Sequence, residues 1–239
     1  TTSAVVVLLH YVLFNENKNV ALLANKGEAA REILSRIQIA YEALPDWMQQ
    51  GVIEWNKGSV QFENGSKIFA SATSSSAIRG QSVSFLYIDE TAFVENWDEF
   101  FASVFPTVSS GVTTKILLTS TPCGLNHFYK ICEEAESGTN GYEFVKVVWQ
   151  DVPGRDQKWK DETLSSMSFD NEKFSQEYEC QFLGSSGTLI EGYHLKNLVV
   201  KEPIIKRNNL SMFVDKIEGH SYVAVVDVSR GKGLDYSAF

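Results

Sequence analysis

No stretch of the 239 residues is apolar for long enough to cross a bilayer. The run at 4–14 is broken by His10 and closed by Asn15. It has neither the basic start nor the small-residue cleavage site of a secretion signal. Cysteine is scarce: Cys123, Cys132 and Cys180 are odd in number, far apart and form no C-x-x-C pair, which argues against a disulfide framework and against structural zinc. The four histidines include no H-x-x-x-H pair. Positive charge is in deficit, with 21 Lys and Arg against 30 Asp and Glu for a net charge of −9. No global basic field attracts nucleic acid, so any DNA contact has to be local or brief. Repeats, low-complexity tracts and an initiator Met are absent, and the chain opens on Thr1-Thr2 and closes on Ser237-Ala238-Phe239, which reads as a piece cut at both ends. What is left is an ordinary globular composition, 44% hydrophobic, in a chain long enough for one large domain or two small ones.

Periodicity predicts a helix at 4–14, a short buried strand at 20–24 and a helix at 28–44 whose Ile33, Ile37, Tyr41 and Leu44 share one face before Pro45. Helix, strand, helix is the sign of an α/β layer. Asn64-Gly65 stands between Val60, Phe62 and Ile68, Ala70, a two-residue hairpin signal, so 52–71 reads as an antiparallel insertion. Further on the pattern predicts a helix at 97–105 stopped by Pro106, a strand at 115–119, a helix at 125–136, a strand at 142–149 and a helix at 171–182. Gly184 to Gly187 is the best linker in the chain; beyond it come a charged, irregular stretch through Asn209 and a second apolar strand at 222–226.

The chain is organised around residues 85–93. Phe85, Leu86, Tyr87 and Ile88 run directly into Asp89 and Glu90, as in a strand buried on both faces of a parallel sheet. Carboxylates at the carboxyl end of such a strand lie where open α/β folds place ligands. In nucleotide hydrolases the first such carboxylate holds Mg²⁺ and its neighbour orients and deprotonates the attacking water, which fits Asp89 and Glu90 in that order. A plain strand end before a solvated loop has the same letters. Thr1 and Thr2 before an apolar helix fit the hydroxyl end of a phosphate-binding loop, and also a simple helix cap. Thr119, Ser120 and Thr121 end the strand expected beside 85–88, where small hydroxyls can sense a γ-phosphate, although Ser, Thr and Pro are equally at home in a turn. Arg79 is a lone cation ahead of that strand, suited to stabilising transition-state charge or to an ordinary surface role.

A second acidic pair follows the strand at 222–226: Asp227, then Asp235 after a glycine-containing turn. Two such carboxylates can serve a divalent-metal nuclease site; a hairpin with solvated acids has the same spacing. Lys201, Lys206 and Arg207 form a modest basic patch.

Taken together these residues resemble the large terminase subunit of tailed double-stranded DNA phages, most closely the myovirus type. The landmarks run through the chain: Thr1-Thr2, the WNKGS at 55–59, the IRG at 78–80, the YIDETAF at 87–93, the TSTP at 119–122, the GLNHFY at 124–129, the GTLI at 187–190, and Asp227 with Asp235. The resemblance implies an α/β fold: a RecA-like P-loop NTPase of the additional-strand class at 1–186, with a small subdomain near 150–186. A hinge and the start of an RNase H-like nuclease would occupy 187–239. It also implies ATP with Mg²⁺, and Mg²⁺ or Mn²⁺ at the nuclease. The partners implied are double-stranded DNA, the portal protein, the small terminase subunit and further copies in a ring. The place of action would be the host bacterial cytoplasm and, transiently, the procapsid. Carried over, Thr1 closes the Walker A motif, Asp89 is the Walker B metal residue, Glu90 the base, and Thr119 to Thr121 the coupling motif. Arg79 takes the place of an arginine proposed to act on nucleotide, and Asp227 and Asp235 are nuclease carboxylates. The Walker A lysine and the remaining nuclease ligands are missing, so these 239 residues alone are expected to be inactive. Two rivals stay open: a helicase-like DNA-dependent ATPase, since the motif at 89–92 also suits helicases, and a catalytically inactive docking scaffold of the same fold.

Overall fold

The computed structural model describes residues 1–74, 76–109, 111, 113–183, 202–207, 210–215 and 217–223. The chain divides into two compact units, Thr1–Leu195 and Lys196–Phe239.

The first unit opens with α1 (Thr2–Leu13), β1 (Asn19–Ala24) and α2 (Gly27–Glu42). Next come β2 (Val52–Trp55), β3 (Ser59–Phe62), β4 (Lys67–Ala72) and β5 (Phe85–Ile88). Then follow α3 (Trp97–Ser109), β6 (Lys115–Leu118) and α4 (His127–Glu136), and finally α5 (Gln157–Ser166) and α6 (Asn171–Tyr178). Six strands form one sheet in the order β2-β3-β4-β1-β5-β6. β4, β1, β5 and β6 run parallel, and β2 and β3 close one side antiparallel. In the second unit a small antiparallel hairpin joins β7 (Ile205–Arg207) to β8 (Leu210–Met212), in what the sequence presents as irregular.

Side chains alternate across the sheet, and this decides what meets what. Phe85 and Tyr87 point to one face, packing with Leu8 and Val12 of α1 and Leu34 and Ile37 of α2. Leu86 and Ile88 point to the other, against Phe100, Val104 and Val108 of α3. With helices on both faces β5 is fully buried, which is why its four apolar letters do not alternate. Asp89, two residues past Tyr87, therefore emerges on the α1 face.

The antiparallel hairpin expected at 52–71 forms, with β2-β3 and β3-β4 antiparallel, and β4 also joins it to the main sheet by pairing in parallel with β1, so that Val60, Phe62 and Ile68 are core residues. Three expectations need correcting. Pro106 does not stop α3, which runs on to Ser109. A proline inside a helix costs about 3 kcal/mol, and burial of Val104 and Val108 on either side of it offsets that cost. Residues 142–148 carry strand letters yet have no ladder partner among the described residues, leaving Val145 80% exposed; a strand needs an edge to pair with. α6 ends at Tyr178 because the chain turns left-handed at Cys180 (φ 51°). α5, whose apolar residues are too few for a readable period, is started by Asp156, whose carboxylate accepts from the Trp159 amide. The linker at 184–187 lies outside the described residues.

The β3-β4 turn shows how local chemistry fixes the sheet. Gly65 holds φ 79°, and the Asn64 amide donates to the Val12 carbonyl at 2.8 Å, tying the turn to the end of α1. A Cβ on Gly65 would both strain the backbone and run into the Asn17 side chain. Gly65→Ala is expected to cost about 1–2 kcal/mol, read as a lower urea midpoint with unchanged slope.

Candidate active site

The parallel strands β1, β5 and β6 end at one level: Leu23 pairs with Ile88, and Ile88 with Leu118. The ladder continues one step further, with the Asp89 amide donating to the Leu23 carbonyl and the Thr119 amide to the Ile88 carbonyl. Asp89 and Thr119 thus leave the carboxyl edge of the sheet side by side.

The Asp89 carboxylate is buried and its two oxygens are used unequally. Oδ1 accepts from the Tyr87 hydroxyl at 2.8 Å and from the Thr119 hydroxyl at 2.7 Å. Among the described residues Oδ2 accepts only from the Thr1 hydroxyl, at 3.3 Å. Oδ1 is pinned by the protein, and Oδ2 with Thr1 Oγ1 presents a pair of hard oxygen donors. Two such donors fit Mg²⁺, which keeps several waters and binds through one or two side chains. Among the described residues no cluster of three or more His, Cys, Asp or Glu could cage a metal. The Tyr87 hydroxyl, buried and beside Asp89, has its pKa pushed up, by burial first, so it stays a hydrogen-bond donor.

Glu90 follows in the left-handed region, φ 52° and ψ 44°, a conformation that costs a non-glycine residue free energy. The strain swings its side chain away from the β5 alternation and starts a 3-10 turn, Thr91–Phe93. Its carboxyl is pushed above the ordinary glutamate value by partial burial, then by the charges of Asp89 and Glu177; the Ser120 hydroxyl opposes the rise. A carboxylate whose proton affinity is raised in this way suits proton abstraction.

The turn is held from two sides. From β6, the Thr119 carbonyl accepts from the Thr91 amide at 3.0 Å and the Ser120 hydroxyl from the Ala92 amide at 3.1 Å. From α4, Asn126 donates to the Ala92 carbonyl and His127 reaches the Thr91 carbonyl, both at 2.7 Å.

The structure brings together Thr1, Asp89, Glu90, Thr119 and Ser120. Thr2 is the exposed first residue of α1, and Thr121 lies half-buried in the loop between β6 and α4. Arg79 is exposed, and no hydrogen bond or ion pair among the described residues ties its guanidinium to Asp89 or Glu90. Asp227 and Asp235 lie outside the described residues. Sequence reasoning treated Tyr87 only as an apolar strand residue and gave no role to Asn126 or His127. Tyrosine two residues before an aspartate on one strand face was the missed signal. A recess lined by Leu13, Phe14, Glu16, Gln50 and Glu63 among others lies at the far end of α1, roughly 18 Å from Thr1. With two glutamates and no cation it repels phosphates.

Residues 1–197 match the family of terminase large subunits, T4-like-virus type, N-terminal. The chain belongs to this family. Solved terminases share the fold of this terminase chain at low identity. The large terminase ATPase domain of Thermus phage P74-26 is 19% identical with a TM-score of 0.54, over 76% of this chain and 83% of that one. The bacteriophage HK97 large terminase is 14% identical with a TM-score of 0.60, over 74% and 43%. The large terminase of a thermophilic bacteriophage, solved in complex with ADP, is 11% identical with a TM-score of 0.58, over 75% and 44%. At these identities the likeness establishes the P-loop NTPase fold. This chain spans less than half of the two longer proteins. Among the described residues no helix is long and apolar enough to cross a membrane.

Proposed function

We propose that this chain carries part of the ATP-hydrolysing site of a DNA-packaging motor, together with the first carboxylates of its nuclease. The observation that carries the reading is the Asp89 carboxylate, with one oxygen pinned by Tyr87 and Thr119 and the other directed to Thr1, beside a glutamate whose proton affinity is raised. Mg²⁺, when bound, supplies charge neutralisation to the nucleotide phosphates, and the Thr1 hydroxyl with Asp89 would hold it. Glu90 orients a water and takes its proton as it attacks the terminal phosphate of ATP. Thr119 and Ser120, hydrogen-bonded to the turn after Glu90, carry the change in charge to β6. The sequence holds no Gly-Lys-Ser/Thr run, so the proposal requires the phosphate-gripping lysine from outside these 239 residues. Arg79, exposed and without an ion pair among the described residues, suits a neighbouring copy in a ring better than its own site. Double-stranded DNA, the portal protein and the small terminase subunit are the partners this assigns, in the host cytoplasm and at the procapsid.

The test is ATP turnover by the full-length protein containing this chain: Mg²⁺-dependent hydrolysis coupled to DNA uptake into procapsids is expected, and its absence overturns the reading. Asp227 and Asp235 are assigned as Mg²⁺ or Mn²⁺ ligands of the endonuclease that trims the packaged DNA. Asp227→Ala is expected to lower DNA cleavage about 100-fold and leave ATP hydrolysis intact. Loss of both activities would mean misfolding instead.

A further inference from the structure

α4 begins at the active site with two adjacent side chains, Asn126 at its cap and His127 in its first turn, that reach the residues after Glu90. The Asn126 carboxamide oxygen accepts from the Phe128 and Tyr129 amides at 3.0 and 3.4 Å, which caps the helix. Its nitrogen donates out of the helix to the Ala92 carbonyl at 2.7 Å. His127 Nε2 lies 2.7 Å from the Thr91 carbonyl. A carbonyl only accepts, so Nε2 carries the proton in this contact. The imidazole cannot turn away freely, because it lies flat on Trp97 of α3, 4.7 Å between ring centres and 5° between planes. Behind the pair, Phe128 and Cys132 of α4 bury the Ala92 methyl in a small apolar cluster with Leu118 and Phe182 at its edge.

These contacts converge on Thr91 and Ala92, the two residues directly after Glu90. Glu90 occupies left-handed backbone that a glutamate adopts at a cost, and such a conformation persists only where its surroundings hold it. Thr119 and Ser120, just past β6, bind the Thr91 and Ala92 amides, and Asn126 and His127 bind the Ala92 and Thr91 carbonyls. Without the α4 contacts the Ala92 carbonyl has no partner among the described residues, and the Thr91 carbonyl keeps only the Val94 amide at 3.2 Å, so the turn after Glu90 is held less firmly.

We propose that Asn126 and His127 form a latch that positions Glu90 for hydrolysis, acting through the Thr91–Phe93 turn and not on nucleotide. The assignment rests on the reading of Glu90 as the hydrolytic base. The hydrogen bonds of both side chains go to the turn and to α4 itself, not to Asp89 or Thr1, so the latch affects turnover and not nucleotide binding. Its chemistry is that of two donors on two carbonyls, and donors of similar reach replace them.

Three variants of the full-length protein test this. Asn126→Asp keeps the helix cap, since aspartate caps as well as asparagine, and puts an oxygen in place of the donor that faces the Ala92 carbonyl. His127→Ala removes the second donor, and His127→Gln returns an amide donor without the ring. Asn126→Asp and His127→Ala are each expected to lower kcat about 10- to 100-fold, the usual effect of losing a supporting partner or of a misplaced group. KM for ATP and the thermal midpoint stay near wild type, His127→Gln recovers most of the turnover, and backbone amide exchange quickens at 91–94. A kcat within about twofold of wild type in the first two variants overturns the latch. So does a joint fall of kcat, nucleotide affinity and thermal midpoint without rescue by glutamine, which is the behaviour of plain fold support. If wild-type protein does not turn over ATP, the reading of Glu90 fails on its own account. Amide exchange at 91–94 then still decides the latch, and unchanged exchange in Asn126→Asp overturns it.

Discussion

Glu90→Gln in the full-length protein is expected to lower ATP turnover about 10³-fold while nucleotide still binds. Glutamine keeps the length of the side chain and a carbonyl oxygen, but it has no lone pair basic enough to take a proton from water. Asp89 and Thr1 are untouched, so the Mg²⁺ dependence of binding survives. The same variant is expected to be more stable than wild type at neutral pH. Burial and the charges of Asp89 and Glu177 raise the Glu90 pKa above its unfolded value of 4.5. Between the unfolded and the raised folded value the native state holds more protons than the unfolded state, so native stability falls as pH rises through that window. Well below 4.5 both states are protonated and wild type and Glu90→Gln should melt alike; well above the folded value the wild type carries the whole cost of ionising Glu90 in the fold, which the uncharged variant avoids. Melting curves across the acid range check the sign. The acid limb of the kcat profile, set by the same group, should lie above the ordinary glutamate range. Retained turnover removes Glu90 from its role, and loss of nucleotide binding assigns it to the metal instead.

Much of this site could be read in the letters because β5 is buried on both faces. Four apolar residues and two acids leave no choice of register, and Asp89 has to emerge at the sheet edge. Thr119 was legible for the same reason, being one residue past the end of a strand parallel to β5. What stayed hidden is what depends on a neighbour far away in sequence. Residues 142–148 look like a strand because Tyr, Phe and Val are strand formers, yet pairing depends on an open edge that no local letter reports. Pro106 is a helix breaker only where the helix is not held by its own buried face, and the burial of Val104 and Val108 is a tertiary fact. The left-handed Glu90 is hidden in another way. Nothing in Asp-Glu-Thr marks a positive φ, and the conformation follows from four hydrogen bonds to Thr91 and Ala92 supplied by β6 and α4.

Asp89→Asn is expected to give the opposite separation: turnover falls about 10³-fold or more, and Mg²⁺ no longer strengthens nucleotide binding. Asparagine fills the same space, and its carbonyl oxygen can still accept from Tyr87 and Thr119, so the fold should survive. On the other side an amide nitrogen replaces Oδ2, and an N–H group donates to Thr1 but cannot coordinate a cation. Titration of an ATP analogue with and without Mg²⁺ then distinguishes the two acidic residues, since Glu90→Gln keeps the Mg²⁺ effect and Asp89→Asn loses it. Tyr87→Phe separates orientation of Asp89 from support of the fold. It leaves the ring in the core and removes one of the two hydroxyls on Oδ1, while Thr119 at 2.7 Å still holds that oxygen. One net hydrogen bond contributes about 1–1.5 kcal/mol, so a loss of roughly tenfold or less in turnover is expected. The same substitution in the Asp89→Asn background should cost less, because the charge that the hydroxyl orients is already gone. Equal costs in the two backgrounds would mean that Tyr87 supports the fold and does not orient Asp89.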